Sequence, residues 1–116
     1  MLSQKYRFHS RGGVKYVYKK GKTVRRAGFS LVFCENTRGF IRIAVVVSKK
    51  VAKTAVARNR IRRRVYEAIR KNMEFIPLKQ DYIFVVYDKK AGEMPYDDLV
   101  KSLGELVAES KVCYNR

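Results

Sequence analysis

Cysteine and histidine are scarce in this sequence, and long apolar runs are absent. Cys34 and Cys113 stand far apart and form no metal-binding pair, so we predict two free thiols in a reducing cytosol. His9 is the single histidine and has no neighbouring cysteine or carboxylate cluster, which argues against a metal or catalytic role. The first residues, MLSQKYRFHS, contain no apolar run, so we expect no signal peptide. No segment approaches the roughly 18 apolar residues of a membrane span, and we expect a cytoplasmic protein without a membrane partner.

Acidic residues are also few, and they are unevenly placed. The chain has 27 Lys and Arg against 10 Asp and Glu, which gives a net charge of +17. Residues 1–72 hold 21 of the basic residues and only Glu35 and Glu67 as acids, a balance of +19, whereas residues 73–116 carry −2. A polyanionic partner would relieve this self-repulsion, and nucleic acid is the first candidate. Two acids in the basic segment are too few for the carboxylate cluster of a protein-only nuclease.

The hydrophobic fraction of 47% supports one folded domain over residues 1–116. The spacing of the apolar residues changes along the chain between a helical and a strand period. Residues 13–20 predict a short helix that ends at Gly21. The segments AGFSLVFCEN and FIRIAVVVS have strand character and predict an antiparallel hairpin. Residues 54–72 and the segment YDDLVKSLGELVAES predict helices, and residues 82–87 between them predict a central strand buried on both faces. The pattern therefore predicts a two-layer α/β domain.

Six arginines lie in the fourteen residues ARNRIRRRVYEAIR, from Ala57 to Arg70. At about 100° per residue, one face of this predicted helix is apolar. The residues predicted to be buried on that face are Ile61, Val65, Ala68 and Ile69. The residues predicted to project to the opposite side are Asn59, Arg62, Arg63, Tyr66 and Arg70. Only Glu67 offers an acidic partner within the helix, so most of these guanidinium groups have no local acid to neutralise them.

Four interpretations of this segment are open: a solvated face, a DNA-recognition helix, a localisation tag and a docking surface for structured RNA. The missing acids disfavour a merely solvated face. A strand precedes the helix where a helix-turn-helix protein would have another helix, and a tag needs no apolar stripe. The pattern favours an RNA-docking surface, since the planar fork of arginine can bind a phosphate through two hydrogen bonds.

The stretch VSKKVAKTAVARNRIRRRVYEAI resembles the signature of the bacterial ribonuclease P protein subunit family. In that family a strand ends in S-K-K-V and is followed by an R-N-R helix. The flanking segments resemble the family in the same order, from RFHSRGGVKYVYKKGKTVR to MPYDDLVKSLGEL. The resemblance implies an α+β fold, a two-layer α/β sandwich of about four mixed strands and three helices in the order α-β-β-β-α-β-α. It also implies a left-handed βαβ crossover between the last two strands, against the general rule.

The resemblance further implies a role in tRNA processing. Ribonuclease P is a ribonucleoprotein endonuclease, a hydrolase that removes the 5′ leader from precursor tRNA. The implied protein is its non-catalytic subunit, which binds the catalytic RNA subunit and the single-stranded leader. The implied cofactor is Mg²⁺ held mainly by the RNA subunit, and neither a metal-binding residue of the protein nor a small-molecule substrate is assigned. A general RNA-binding or ribosome-associated protein without a processing role fits the composition equally well, and only the ordered motif disfavours it.

Carried over position by position, the resemblance implies two sets of site residues. Those that would bind the RNA subunit are Arg58, Asn59, Arg60, Arg62 and Arg63. Those that would line a leader cleft between the first helix and the sheet are Val14, Tyr18, Ser30, Val32, Lys49, Lys53, Lys89 and Lys90. The family often has Phe and Tyr where this chain has Val14 and Val32, so stacking on leader bases is predicted to depend largely on Tyr18. Ala52 and Tyr66 also replace residues frequent in the family and leave the R-N-R motif intact.

Overall fold

A mixed four-stranded sheet with helices packed against it forms the described part of the protein. The computed structural model describes residues 17–26, 28–35, 41–72 and 80–114, the last four as backbone only. The elements, in chain order, are β1 (Lys22–Arg26), β2 (Phe29–Glu35), β3 (Arg42–Val47), α1 (Ala55–Lys71), β4 (Gln80–Val86), α2 (Lys89–Glu93) and α3 (Tyr96–Tyr114). Residues 17–20 are helical as well, and the rest of the predicted first helix lies outside the described residues.

The strands lie in the order β1-β2-β4-β3. Strand β4 pairs antiparallel with β2 and parallel with β3. Its nearly continuous apolar sequence explains this position. A strand whose two faces are both buried also has a buried backbone, so its N–H and C=O groups need a hydrogen-bonded strand on each edge. The predicted hairpin between β2 and β3 is therefore wrong, since β4 separates them. The hairpin partner of β2 is β1.

Two glycines permit the close geometry around β1. Gly28, in the turn between β1 and β2, has a φ of +87°, a conformation that residues with a Cβ rarely adopt. The Gly21 N–H donates to the Val17 oxygen at 2.7 Å. A Cβ on Gly21 would lie 2.5 Å from that oxygen and 2.6 Å from the Phe33 oxygen. The helical turn at residues 17–20 thus ends at Gly21, as predicted, and lies directly against β2.

Alternation along the strands divides the core into two parts. On one face, Phe29 and Leu31 of β2 belong to the larger cluster, which also contains the buried residues of α1 and α3. The opposite face of the sheet, here called the open face, carries Ser30, Val32, Ala44, Val46, Ile83 and Val85. There Val17 packs with the middle of the sheet. The predicted α+β sandwich with four mixed strands is confirmed, and the connection β3-α1-β4 joins two parallel neighbours, as a βαβ crossover does. Its left hand stays a prediction.

Helix boundaries follow the sequence pattern closely. The helix predicted over residues 54–72 is confirmed as α1, with Thr54 as its N-cap and Asn72 as its C-cap. The Asn72 side-chain amide donates to the Ala68 and Val100 oxygens, both at 3.1 Å, and so ties α1 to α3. The apolar stripe predicted for α3 is buried, and it consists of Leu99, Leu103, Leu106 and Val107. Helix α2 is not predicted, because its 5 residues are too few to show a helical period.

Candidate nucleic-acid interface

The N-terminal half of α1 presents positive charge without local acids. Thr54 caps the helix, and no acidic residue lies in the first turn. The side chains of Asn59, Arg60 and Arg63 are exposed, and Arg62 is partly buried and donates to the Asn59 Oδ1. We call these four residues the arginine face. The helix N-terminus adds a partial positive charge, so this surface attracts anions.

Arg58 lies beside the arginine face and is held by main-chain oxygens. Its Nη1 donates to the carbonyl oxygens of Ala52 and Lys53, both at 3.0 Å. These two bonds fix the turn that leads from β3 into α1. The sequence predicts Arg58 as a contact to RNA and does not predict this internal role, because a backbone carbonyl carries no sequence signal.

Arg64 is held in a similar way on the neighbouring flank of α1. Its Nη1 donates to the Gly92 oxygen at 3.0 Å, and its Nη2 donates to the Met94 oxygen. Both acceptors lie at the C-terminal end of α2 and the residue after it. Arg64 therefore fixes the short helix α2 against α1.

The C-terminal half of α1 departs from the predicted faces. Tyr66 is buried in the larger core cluster, so its predicted projection to the polar side is wrong. The reason is that α1 contacts α3 as well as the sheet, which widens its buried arc. Arg70 pairs with Glu67, and the Arg70 guanidinium lowers the pKa of the Glu67 carboxyl to about 2. The outward positive charge of α1 is thus concentrated in its first half.

A cavity of about 570 Å³ opens between α1, α2 and the turn after β3. Lys53 and Lys89, both implied for the leader cleft, line this cavity together with Arg60. The structure therefore brings these two lysines to the side of the sheet that carries α1. Lys49 and Lys90 are exposed and do not line the cavity.

Three other residues implied for the leader cleft, Ser30, Val32 and Tyr18, lie on or beside the open face. Ser30 and Val32 are buried there and form part of its floor. Tyr18 follows Val17 in the helical turn that covers this face, and its side chain is 47% exposed. Burial of the other half raises the pKa of the Tyr18 phenol. Of these residues Tyr18 offers an accessible ring, and Val14 lies outside the described residues.

Two exposed apolar side chains extend the open face and are not among the predicted site residues. Val46 pairs with Val85 across the sheet, and both side chains point to the open face. Tyr87 stands two residues beyond Val85, so it points to the same face, and its ring is exposed. Its backbone N–H donates to the Gly28 oxygen at 3.2 Å. Continuing the alternation of side-chain direction one step past the end of β4 would have identified Tyr87 as a residue of the open face.

Lysines gather at one edge of the sheet. Because β3 and β4 are parallel, their carboxyl ends lie side by side at this edge. Asp88 lies there too, but its carboxylate caps α2 by accepting from the Lys90 N–H at 2.9 Å. The exposed lysines of this edge, which we call the lysine edge, are Lys49, Lys50, Lys89 and Lys90. An edge borders both faces of a sheet, so these lysines can serve either surface.

Carboxylates and thiols do not gather in the described part of the chain. Within it, no three His, Cys, Asp or Glu side chains lie close enough together to hold a metal ion. The side chains that the structure describes therefore do not fit a bound Mg²⁺. The Cys34 thiol is free, as predicted, and the Cys113 side chain lies outside the described residues. No helix within the described ranges is long and apolar enough to cross a membrane.

An acid-free arginine face, a lysine edge and accessible tyrosine rings on a mixed sheet define a nucleic-acid-binding α+β protein. Comparison with known proteins identifies the family. The family model for ribonuclease P matches residues 2–111. A ribonuclease P protein component from Syntrophus aciditrophicus is 32% identical over 108 residues, which cover 93% of this chain and 89% of that one.

Solved structures agree with this match. An RNase P protein from Staphylococcus aureus superposes with a TM-score of 0.79 at 30% identity, over 92% of this chain and 96% of that one. The RNase P protein from Thermotoga maritima gives a TM-score of 0.77 at 27% identity, over 87% of this chain and 94% of that one. The chain belongs to the ribonuclease P protein family, as its resemblance predicted.

Proposed function

We propose that this protein is the protein subunit of ribonuclease P and assists removal of the 5′ leader from precursor tRNA in the cytoplasm. The arginine face, together with Arg58, binds the RNA subunit of the enzyme. The open face, together with Lys49 and Lys90 of the lysine edge, holds the single-stranded leader. Family membership and the net charge of +17 support binding to two RNA partners.

The observation that carries the proposal is that the arginine face and the open face lie on opposite sides of the sheet. α1 packs on one side of the sheet, with Arg60 and Arg63 pointing away from the core. The helical turn that carries Tyr18 packs on the other side. One protein can therefore contact the RNA subunit and the substrate leader at the same time.

On the leader side, contacts of two kinds are proposed. Tyr18 stacks on a leader base, above a floor formed by Ser30 and Val32. Lys49 and Lys90 at the lysine edge meet backbone phosphates. Stacking and phosphate contacts tolerate any leader sequence, which suits a substrate class whose leaders differ.

The proposal assigns the bond cleavage to the RNA subunit, with Mg²⁺ that the RNA mainly holds. Two described acids are each bound to an arginine, Asp81 to Arg42 and Glu67 to Arg70. Such pairs suit structural roles better than acid–base chemistry. The protein then contributes by holding two RNAs and by screening their mutual repulsion.

The test is a single-turnover cleavage assay with the cognate RNA subunit and a precursor tRNA at low Mg²⁺. We expect the protein to accelerate cleavage at the leader junction and to cut nothing when the RNA subunit is omitted. Arg60→Ala should reduce the acceleration. The matched control is Arg26→Ala, because Arg26 is an exposed arginine that pairs with Glu105 away from the arginine face.

Three outcomes would contradict the proposal. Tight RNA binding without acceleration would identify a general RNA-binding protein instead. Cleavage by the protein alone would contradict the assignment of the chemistry to the RNA. An equal loss with Arg26→Ala would show that total charge, and not the arginine face, determines the effect.

A further inference from the structure

The cavity beside the arginine face is built from one flank of α1 and two short segments opposite it. Ala57, Arg60, Ile61 and Arg64 line it from α1, at the spacing i, i+3, i+4 and i+7 that places side chains on one helical face. The opposite walls are the turn at residues 50–53 and helix α2. The Arg64 bonds to backbone oxygens at residues 92 and 94 hold the two sides together.

The floor of the cavity is apolar. Val51 is buried in the core, and Ile61 packs against the same cluster. Gly92 closes the floor without a side chain, because a Cβ there would lie 3.0 Å from the Val51 Cγ1 and 3.1 Å from the Ile61 Cδ1. Contact with an apolar floor of this kind favours the binding of a flat, weakly hydrated group and does not favour the binding of a bare phosphate.

The rim of the cavity is cationic. Lys50, Lys53, Arg60 and Lys89 line it, and Glu93 is the one acid among its lining residues. Four exposed cations around an apolar floor favour a ligand that is anionic at one end and apolar at the other. A carboxylate only accepts hydrogen bonds, so Glu93 can bind a ligand edge that carries donors.

We propose that this cavity takes one unpaired nucleotide of the RNA subunit, with the base on the apolar floor and the phosphate on the cationic rim. The inference rests on the proposed function and names how one of its two RNA partners is held. A cavity of about 570 Å³ has the size of a small-molecule site and exceeds what a phosphate needs. Guanine is the base that fits Glu93 best, because its N1–H and N2–H donors are adjacent and can share one carboxylate.

The first experiment is a titration of the full-length protein with GMP, followed through the methyl NMR signals of Val51 and Ile61. Inorganic phosphate and guanosine are titrated separately. Ala57→Phe fills the cavity, whereas Val56→Phe adds the same ring one residue away, at a side chain that is 71% exposed and does not line it. We expect saturable shifts with GMP in the unaltered protein and in Val56→Phe, and none in Ala57→Phe. Equal shifts with inorganic phosphate alone would overturn the proposal that a base is bound.

The second experiment measures affinity for the cognate RNA subunit. Stacking a base is worth about 1–3 kcal/mol, so Ala57→Phe should weaken binding by about 5- to 150-fold. The log–log salt slope should fall by no more than about 0.7–0.9, because the displaced nucleotide takes one phosphate contact with it. Val56→Phe should bind as the unaltered protein does. Unchanged affinity in Ala57→Phe, or an equal loss in Val56→Phe, would overturn the inference.

A second pair of variants covers the case in which Ala57→Phe does not fold. Ala57→Glu places a glutamate three residues after the N-cap Thr54, the arrangement of a capping box, so α1 should remain stable. Its carboxylate would repel a phosphate from the cavity. Val56→Glu makes the same change in net charge outside the cavity and is the matched control. A loss of RNA-subunit affinity in Ala57→Glu beyond that in Val56→Glu supports the proposal, and equal losses overturn it.

The source of the nucleotide and the underlying function are tested separately. If Ala57→Phe weakens only the binding of leader-bearing substrate to a preassembled holoenzyme, the nucleotide belongs to the leader and the proposal is wrong. If the unaltered protein does not bind or stimulate the RNA subunit, the proposed function itself fails. If it does both and Ala57→Phe is indistinguishable from it, only the inference fails.

Discussion

The ion pair between Arg42 and Asp81 holds the two parallel strands together, and its removal is expected to cost much of the stability of the protein. The two residues are register partners on β3 and β4. Arg42 Nε and Nη2 donate to the two Asp81 carboxylate oxygens at 2.8 and 2.7 Å, a bidentate geometry. The side chains are 15% and 4% exposed, so Arg42→Ala would leave a buried carboxylate without its main counter-charge.

The size of the expected loss in the free energy of unfolding follows from this burial. Removing one partner of a buried ion pair costs about 3–5 kcal/mol, against a total stability of about 5–15 kcal/mol for a typical domain. In urea unfolding followed by circular dichroism, the midpoint of Arg42→Ala should fall by at least about 1 M. The double variant Arg42→Met/Asp81→Leu should recover most of the loss, because it removes both charges and leaves none unpaired.

The chain offers a matched control for this prediction. Arg26 pairs with Glu105 at the same N–O distance of 2.7 Å, but these side chains are 49% and 37% exposed. Arg26→Ala should cost about 0–1 kcal/mol, because solvent screens an exposed pair. If Arg42→Ala and Arg26→Ala lower the urea midpoint equally, burial does not set the energy of the first pair and the reasoning is refuted.

Three further predictions test the turn, the stacking ring and the arginine face. Gly28→Ala should destabilise the protein by about 1–3 kcal/mol in urea unfolding, because the φ of +87° is strained for alanine, and an unchanged midpoint would contradict this. Tyr18→Ala should weaken binding of leader-bearing precursor tRNA about 5- to 150-fold and leave mature tRNA unaffected, whereas equal losses on both would contradict a leader contact. Arg60→Ala should lower the log–log salt slope of RNA-subunit binding by about 0.7–0.9. Arg70→Ala, whose guanidinium is paired with Glu67, should leave that slope nearly unchanged, and equal effects would refute the assignment of the arginine face.

Helices and strands in this protein are predictable from the sequence because the residues that determine them are close together in the chain. The bounds of α1 follow from the change to a helical period and from Thr54 and Asn72 at its ends. The central position of β4 follows from an apolar run that must be covered on both faces. The residues proposed for the two interfaces are those that the resemblance implies, and among them Arg60 and Arg63 lie at the surface.

Strand pairing and side-chain partners are less predictable because they depend on contacts between distant parts of the chain. The patterns of β2 and β3 identify two strands but do not show that β4, more than thirty residues beyond β3, lies between them. Tyr66 is buried because α3 covers α1, and no spacing within α1 reports the position of α3. In the same way, the cavity exists only because α2 is fixed opposite α1 by Arg64.

Arginine in α1 suits two tasks, holding nearby backbone, which the structure shows, and contacting RNA, which is proposed. Arg58 uses its Nη1 to hold two carbonyl oxygens of the preceding turn. A guanidinium has five N–H donors in a rigid fork, so its Nε and Nη2 can still bind a phosphate while Nη1 holds the turn. A lysine has one compact ammonium group, which can hold the turn or meet the phosphate but cannot span both geometries. Arg58→Lys should therefore weaken RNA-subunit binding although the net charge is unchanged. The number of arginines in the segment exceeds the number proposed to contact RNA, because Arg64 holds the backbone of α2 and Arg70 pairs with Glu67.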